Sequence, residues 1–167
     1  MTVMPDQILN GLTEYQRIRA AIEAPLLTAF NSQVPPVPVY FDNITAVPPD
    51  PPKEYVRINL TFGLMSESGI SQTVRNARGA LIVRCFAPLG GGPARCQELI
   101  GIAAKVITQL GATKKNVDQV FVRTGPITGP DFIRERAESI EPSLSSYSPH
   151  FMGKISAGWQ AMVPCSE

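Results

Sequence analysis

Tyr55-Val56-Arg57-Ile58-Asn59-Leu60-Thr61-Phe62 is the stretch whose reading decides the fold. Val56, Ile58, Leu60 and Phe62 are apolar and alternate with Arg57, Asn59 and Thr61. Successive side chains on a strand point to opposite faces, so a period of two describes a strand with one buried and one open side. We expect this strand over Glu54 to Met65. Ala77 to Ala87 repeats the pattern, with Leu81, Val83 and Cys85 inward and Arg84 outward. Residues 66–76 between them are polar and include Gly69, which reads as a long loop or hairpin tip joining an antiparallel pair. Gly153 to Val163 alternates again, with Ile155, Ala157, Trp159, Ala161 and Val163 against Lys154, Ser156 and Gln160. It belongs in the same sheet.

Outward from these strands the period changes. Ile8, Leu9, Leu12, Tyr15, Ile18, Ile22, Leu26 and Phe30 recur at three- and four-residue steps, as one helix face requires. Pro5 suits the first turn of that helix. Pro25 removes an interior hydrogen bond and crowds the Ala21 carbonyl, so a kink or break is expected there, and the end near Asn31. Leu99, Ile100, Ala103, Val106, Ile107 and Leu110 form the stripe of a second helix, opened by Pro93 and capped by Gly111. Proline-rich chain at 34–53 reads as a rigid crossover with one extended stretch, Val37 to Phe41. Val117 to Arg123 reads as a short strand, Gly125 to Pro130 as a turn-rich excursion, and 131–150 as loop. The order helix, strands, helix, strands predicts a single α+β domain over residues 1–167. Its small antiparallel or mixed sheet should carry two helices on one face and long Pro/Gly-rich loops.

The residue inventory offers little for chemistry. His150 is the one histidine and lies in a Ser/Pro-rich stretch, where a solvated side chain is expected rather than a base held by packing. Cys85, Cys96 and Cys165 form no paired spacing and are expected to be reduced thiols without metal. Gly90-Gly91-Gly92 precedes a helix but lacks the Lys-Ser/Thr of a phosphate loop, so a flexible joint is expected. Glu135, Glu138 and Glu141 are interleaved with Arg134 and Arg136 and read as a solvated, charge-balanced segment. No catalytic group, cofactor or metal is therefore expected, and no apolar run is long enough to span a membrane.

Charge is unevenly spread although the net is only +1. Residues 68–123 hold eight basic and two acidic groups, while residues 1–67 hold four basic and seven acidic. A basic middle with acidic flanks can pair head-to-tail with a copy of itself. Near-zero net charge argues against a dedicated nucleic-acid binder.

Three stretches carry a family resemblance. One is Arg19-Ala20-Ala21-Ile22-Glu23-Ala24 followed by proline-rich chain. Another is Tyr55 to Leu60, then Val83-Arg84-Cys85-Phe86-Ala87-Pro88 running through the glycines into the second helix. The third is Val122-Arg123-Thr124-Gly125-Pro126 before the final strand around Trp159. Together they resemble the tail terminator proteins of long-tailed bacteriophages, across most of the chain and as element order rather than a sharp motif. The resemblance implies a virion protein without catalytic residues, assembled in the host cytoplasm as a homo-oligomeric ring, typically a hexamer. Such a ring caps the head-proximal end of the tail tube, ends tube polymerisation and docks the head–tail connector. Its partners are the tail tube protein, the connector proteins and, for a contractile tail, the sheath protein. Genomic DNA passes through the lumen without sequence-specific binding. On this view Ser66, Glu67, Ser68, Gly69, Arg75 and Arg78 form the lumen or tube-facing loop. Arg84, Arg95, Arg123, Arg134, Glu135 and Glu138 are candidates for the subunit interface, since a ring needs unlike patches that fit one another. A tail tube subunit or another neck connector is the alternative within the virion. A nucleotide- or small-molecule-binding domain at Gly90–Gly92 is the alternative outside it.

Overall fold

Helix α1 runs unbroken from Asn10 to Asn31, with Pro25 inside it. The computed structural model describes residues 10–42, 44, 52–67, 74–112, 120–134 and 147–164. The expected N-terminal turn at Pro5 and the cysteine at 165 lie outside the described residues. Ile18, Ile22, Leu26 and Phe30 form the buried stripe of α1, and the last three are fully buried. Burial of each such side chain stabilises the fold by about 1.5–3 kcal/mol. That gain outweighs the cost of Pro25, so the expected break does not occur.

The chain then turns through Val37, whose N–H donates to the Phe30 carbonyl (3.1 Å). Strand β1, Val39–Tyr40, is the short extended piece foreseen inside the proline-rich crossover. It pairs parallel with β2, Tyr55–Glu67, with Val39 beside Val56. Next come β3, Val74–Pro88, helix α2, Ala94–Ala112, β4, Val120–Arg134, and β5, Tyr147–Pro164. The sheet is five-stranded in the order β1-β2-β3-β5-β4, antiparallel throughout except at β1. This is the expected α+β fold with a mixed sheet.

Register explains the core. Val56 faces Cys85, Ile58 faces Val83 and Leu60 faces Leu81. Ile155 faces Val83, Ala157 faces Leu81 and Trp159 faces Gly79. All but Gly79 are buried with the stripes of α1 and α2 in one hydrophobic cluster. Leu99, Ala103 and Ile107 are the fully buried residues of the second stripe that the sequence pattern picked out. Trp159 is the keystone of one end. Its indole N–H donates to the Thr61 carbonyl (3.1 Å), and its ring meets Phe62 edge-on at 5.0 Å.

Several boundaries differ from expectation. The loop at 66–76 is shorter than its polar composition implied, because Ser66 and Glu67 stay in β2, and Arg75 and Asn76 stay in β3. Gly125 to Pro130 is not an excursion but part of β4, which continues to Arg134. Its pairing with β5 slips three times, between Thr124 and Ile127, Thr128 and Asp131, and Phe132 and Arg134. The first two slips each place one extra residue on β4, which is how Gly and Pro fit an edge strand, whereas at the third the extra residues are on β5. Residues 131–134 and 147–150 are strand as well, so only 135–146 of the expected 131–150 loop lies outside the described residues. Gly111 lies within the last turn of α2 rather than capping it. A Cβ there would sit 2.5 Å from the Val122 carbonyl oxygen, so this glycine permits close approach of α2 to β4. Peptides Val34–Pro35 and Gly129–Pro130 are cis.

Candidate functional site

The polar sides of the same strands make the second face of the sheet, and no described element packs over its centre. Arg57 on β2 lies directly opposite Arg84 on β3. Arg84 in turn lies directly opposite Lys154 on β5. Three cations therefore stand in one row across three neighbouring strands, which are spaced by about 5 Å. Arg123 on β4 and Arg78 on β3 add two exposed cations toward the other end. Among the described residues, none of these five side chains forms an ion pair with a carboxylate. Asp131 is the described acid on this face, opposite Met152 at the rim of β4. Phe121 is 50% exposed and Met162 is 44% exposed, on the same open side.

At the β2 edge the row is anchored by hydrogen bonds. Arg84 Nη1 donates to Asn59 Oδ1, and Asn59 Nδ2 donates to Asp42 Oδ1 (2.6 Å). Asp42 Oδ2 also accepts from the Leu60 N–H (2.9 Å) and from Arg19 (3.0 Å). Burial alone would raise the Asp42 carboxyl, but the donors Leu60, Asn59 and Arg19 outweigh it and hold the group below its ordinary value. Arg19 also donates to the Leu60 carbonyl (3.4 Å), so two side chains occupy the backbone edge where β1 has ended. Asn59 is thereby tied into a side-chain network.

An aromatic cluster lies beside the row, at the ends of β2, β3 and β5. Tyr55 stacks on Phe86 at 4.3 Å, and His150 meets Tyr55 edge-on at 5.1 Å. His150 is 1% exposed, contrary to the solvated side chain expected from its Ser/Pro-rich surroundings. Its Nε2 lies 2.9 Å from the Lys53 carbonyl, while Nδ1 is buried without a hydrogen-bond partner. The ring can donate to that carbonyl, which fastens the start of β2 to β5. It is a packing residue with one bond, and no described Ser, Cys or carboxylate is hydrogen-bonded to it.

The glycine joint turns the chain between β3 and α2. Gly90 and Gly92 adopt φ of 98° and 75°, the left-handed region that glycine enters without steric cost. A Cβ at Gly90, Gly91 or Gly92 would meet nothing within 4 Å, so open space surrounds all three. Pro88, Leu89, Pro93 and Phe151 join Gly90 and Gly92 around a shallow, mostly apolar cleft. Cys85 and Cys96 are buried, and burial pushes both thiols up, so both stay protonated. Among the described residues no group of three His, Cys, Asp or Glu side chains could hold a metal ion, and no helix is long and apolar enough to cross a membrane.

The residues nominated from sequence separate into distinct places. Arg84 and Arg123 fall on the open face, and Arg78 joins them there rather than a loop tip. Arg95 is committed elsewhere. Its Nε and Nη2 donate to the two Glu54 oxygens (both 2.7 Å), and Nη1 reaches Glu98 at 2.9 Å. This fork ties the first turn of α2 to the approach to β2. Ser66, Glu67 and Arg75 belong to the β2–β3 hairpin, and Arg134 ends β4. Ser68, Gly69, Glu135 and Glu138 lie outside the described residues. Sequence reasoning missed Arg57 and Lys154 as members of the cationic row. Alternation placed each on the polar side of its strand, but only the pairing register puts them side by side.

No family model matches the chain, and no curated protein matches it in sequence. A solved structure is similar in shape. It is 20% identical, the match covers 88% of this chain and 94% of that chain, and the TM-score is 0.56. At that identity the likeness concerns the fold.

Proposed function

We propose that this chain is a structural subunit that self-assembles into a ring and works through its surfaces rather than through chemistry of its own. The observation that supports this reading is the sheet face over whose centre no described element packs. It combines Arg57, Arg78, Arg84 and Arg123 with exposed Phe121 and Met162. Arginine, aromatic residues and methionine are the residue types enriched where proteins meet. The resemblance to tail terminators gives the assembly its place. The ring caps the head-proximal end of a bacteriophage tail tube, stops tube growth and offers the head connector a docking surface. DNA passes through its centre, and near-zero net charge is compatible with that passage.

Negative-stain images and sedimentation of the purified chain test this. Closed rings of fixed subunit number are expected, and addition of the rings to polymerising tube protein is expected to cap the tubes. Tubes of unlimited length formed by the chain alone would assign it as a tube subunit instead. A persistent monomer at high concentration would remove both readings.

A further inference from the structure

We propose that the open sheet face is the acceptor surface for the acidic stretch Glu135, Glu138 and Glu141 of a second copy of this chain. The proposal deepens the self-assembly half of the proposed function and rests on it. It needs nothing specific to tails.

The cationic row comes first. Arg57, Arg84 and Lys154 are direct cross-strand neighbours. Like charges placed directly opposite one another destabilise a sheet. The isolated chain therefore carries a repulsion that an anionic partner would relieve. The composition of the face then selects the class of partner. Phe121 and Met162 stand exposed beside Arg78 and Arg123, a mixture that suits a protein surface. The sheet edges direct contacts to the face as well. Pro126 and Pro130 lie on β4 and lack the N–H that strand addition needs, and three register slips bend that edge away from regular pairing. On the other edge, Asp42 and Arg19 side chains occupy both backbone groups of Leu60.

Charge complementarity names the occupant. The chain has a net charge of +1, so a cationic face implies acids concentrated elsewhere in the same sequence. Glu23, Asp42, Glu54 and Glu98 are already engaged by Arg19 or Arg95. Residues 135–141 follow directly after β4, close in sequence to Asp131 on the rim of the open face, and their three glutamates outnumber the one interleaved cation, Arg136, so the stretch taken as a whole is acidic. One surface that meets a different surface on the next copy is a heterologous contact, the kind that closes rings.

Charge exchange in the full-length chain tests this. The face variant carries Arg78→Glu, Arg123→Glu and Lys154→Glu. The stretch variant carries Glu135→Lys, Glu138→Lys and Glu141→Lys. Each alone should weaken self-association by about tenfold or more, read by sedimentation velocity at low salt. A one-to-one mixture should restore it, because each variant's face then opposes the other's stretch. Circular dichroism checks that both variants fold. If the face variant does not, the corresponding glutamine substitutions replace it and should weaken association in the same direction. Rings that form in the wild type and persist in both variants would overturn this inference and leave the ring itself standing. Failure of the mixture to associate would overturn it as well. A wild type that never associates would remove the proposed function and this inference together. A double-stranded oligonucleotide bound by the wild type and lost in the face variant, with self-association unchanged, would reassign the surface to nucleic acid.

Discussion

Gly79 has no room for a side chain. A Cβ there would overlap the Thr61 carbonyl oxygen and sit 2.6 Å from two ring carbons of Trp159. Gly79→Ala should therefore cost about 2–3 kcal/mol, measured by urea unfolding, because the Trp159 bond to Thr61 and the strand pairing must both give way. Gly101 is the counter-example. It is exposed within α2 and a Cβ would meet nothing within 4 Å, so Gly101→Ala should stabilise by about 0.5–1 kcal/mol. Equal effects from the two would sink the packing account of Trp159. Asp42 adds a pH signature. Its folded value lies below the ordinary 3.8, so its contribution is fully present above that pH and is lost as pH falls through the lower folded value. Asp42→Asn should lower stability at neutral pH by about 1 kcal/mol, a figure reduced for its partial exposure, and flatten the acid limb. Glu23 has the opposite sign. Burial raises it despite Arg19 at 2.6 Å, so its contribution is present below the ordinary 4.5 and lost as pH rises through the raised value. Glu23→Gln should thus steepen the acid limb where Asp42→Asn flattens it. Parallel acid limbs for the two variants would refute this division, and denaturation series from neutral to strongly acid pH supply the comparison.

Elements follow the same competition between local preference and packing. Proline inside a helix costs about 3 kcal/mol relative to alanine, yet α1 continues through Pro25 because its buried stripe spans both sides of the proline. Pro25→Ala restores an N–H that can reach the Ala21 carbonyl, and it should raise stability by about 1–3 kcal/mol in thermal or urea unfolding. A loss instead would mean that the proline ring is an essential packing piece. This explains what was legible in the sequence. Period-two runs revealed β2, β3 and β5, and period-3.6 runs revealed both helices, because burial imposes those periods on one face. β4 was only half visible. Its slips after Thr124 and Thr128 destroy alternation, and its prolines imitate a loop while occupying an edge. His150 was misjudged for a related reason. Burial of that ring is decided by Tyr55, Phe86 and the Lys53 carbonyl, which lie far away in sequence.

At the scale of the molecule, the candidate site is a property of register. Arg57, Arg84 and Lys154 come from three separate strands, so no motif in the sequence announces them. Arg84 and Arg123 were nameable from the basic middle of the chain, and the same count named Arg95, which Glu54 and Glu98 hold within the fold. Composition sees charge but not commitment, and geometry separates the cations that are paired within the fold from those that face outward. The distinction has a consequence in salt. Exposed charges farther apart than about 10 Å are screened from one another at roughly 0.1 M salt, and self-association through a cationic face and an acidic stretch should weaken steadily as salt rises. The fold itself should be far less sensitive, because its core is apolar. Sedimentation and urea unfolding in the same salt series separate the two. Association is expected to fall by about tenfold or more between low and high salt while the unfolding midpoint barely moves. If association instead strengthens with salt, Phe121 and Met162 dominate the contact, and the cationic row serves some other anion.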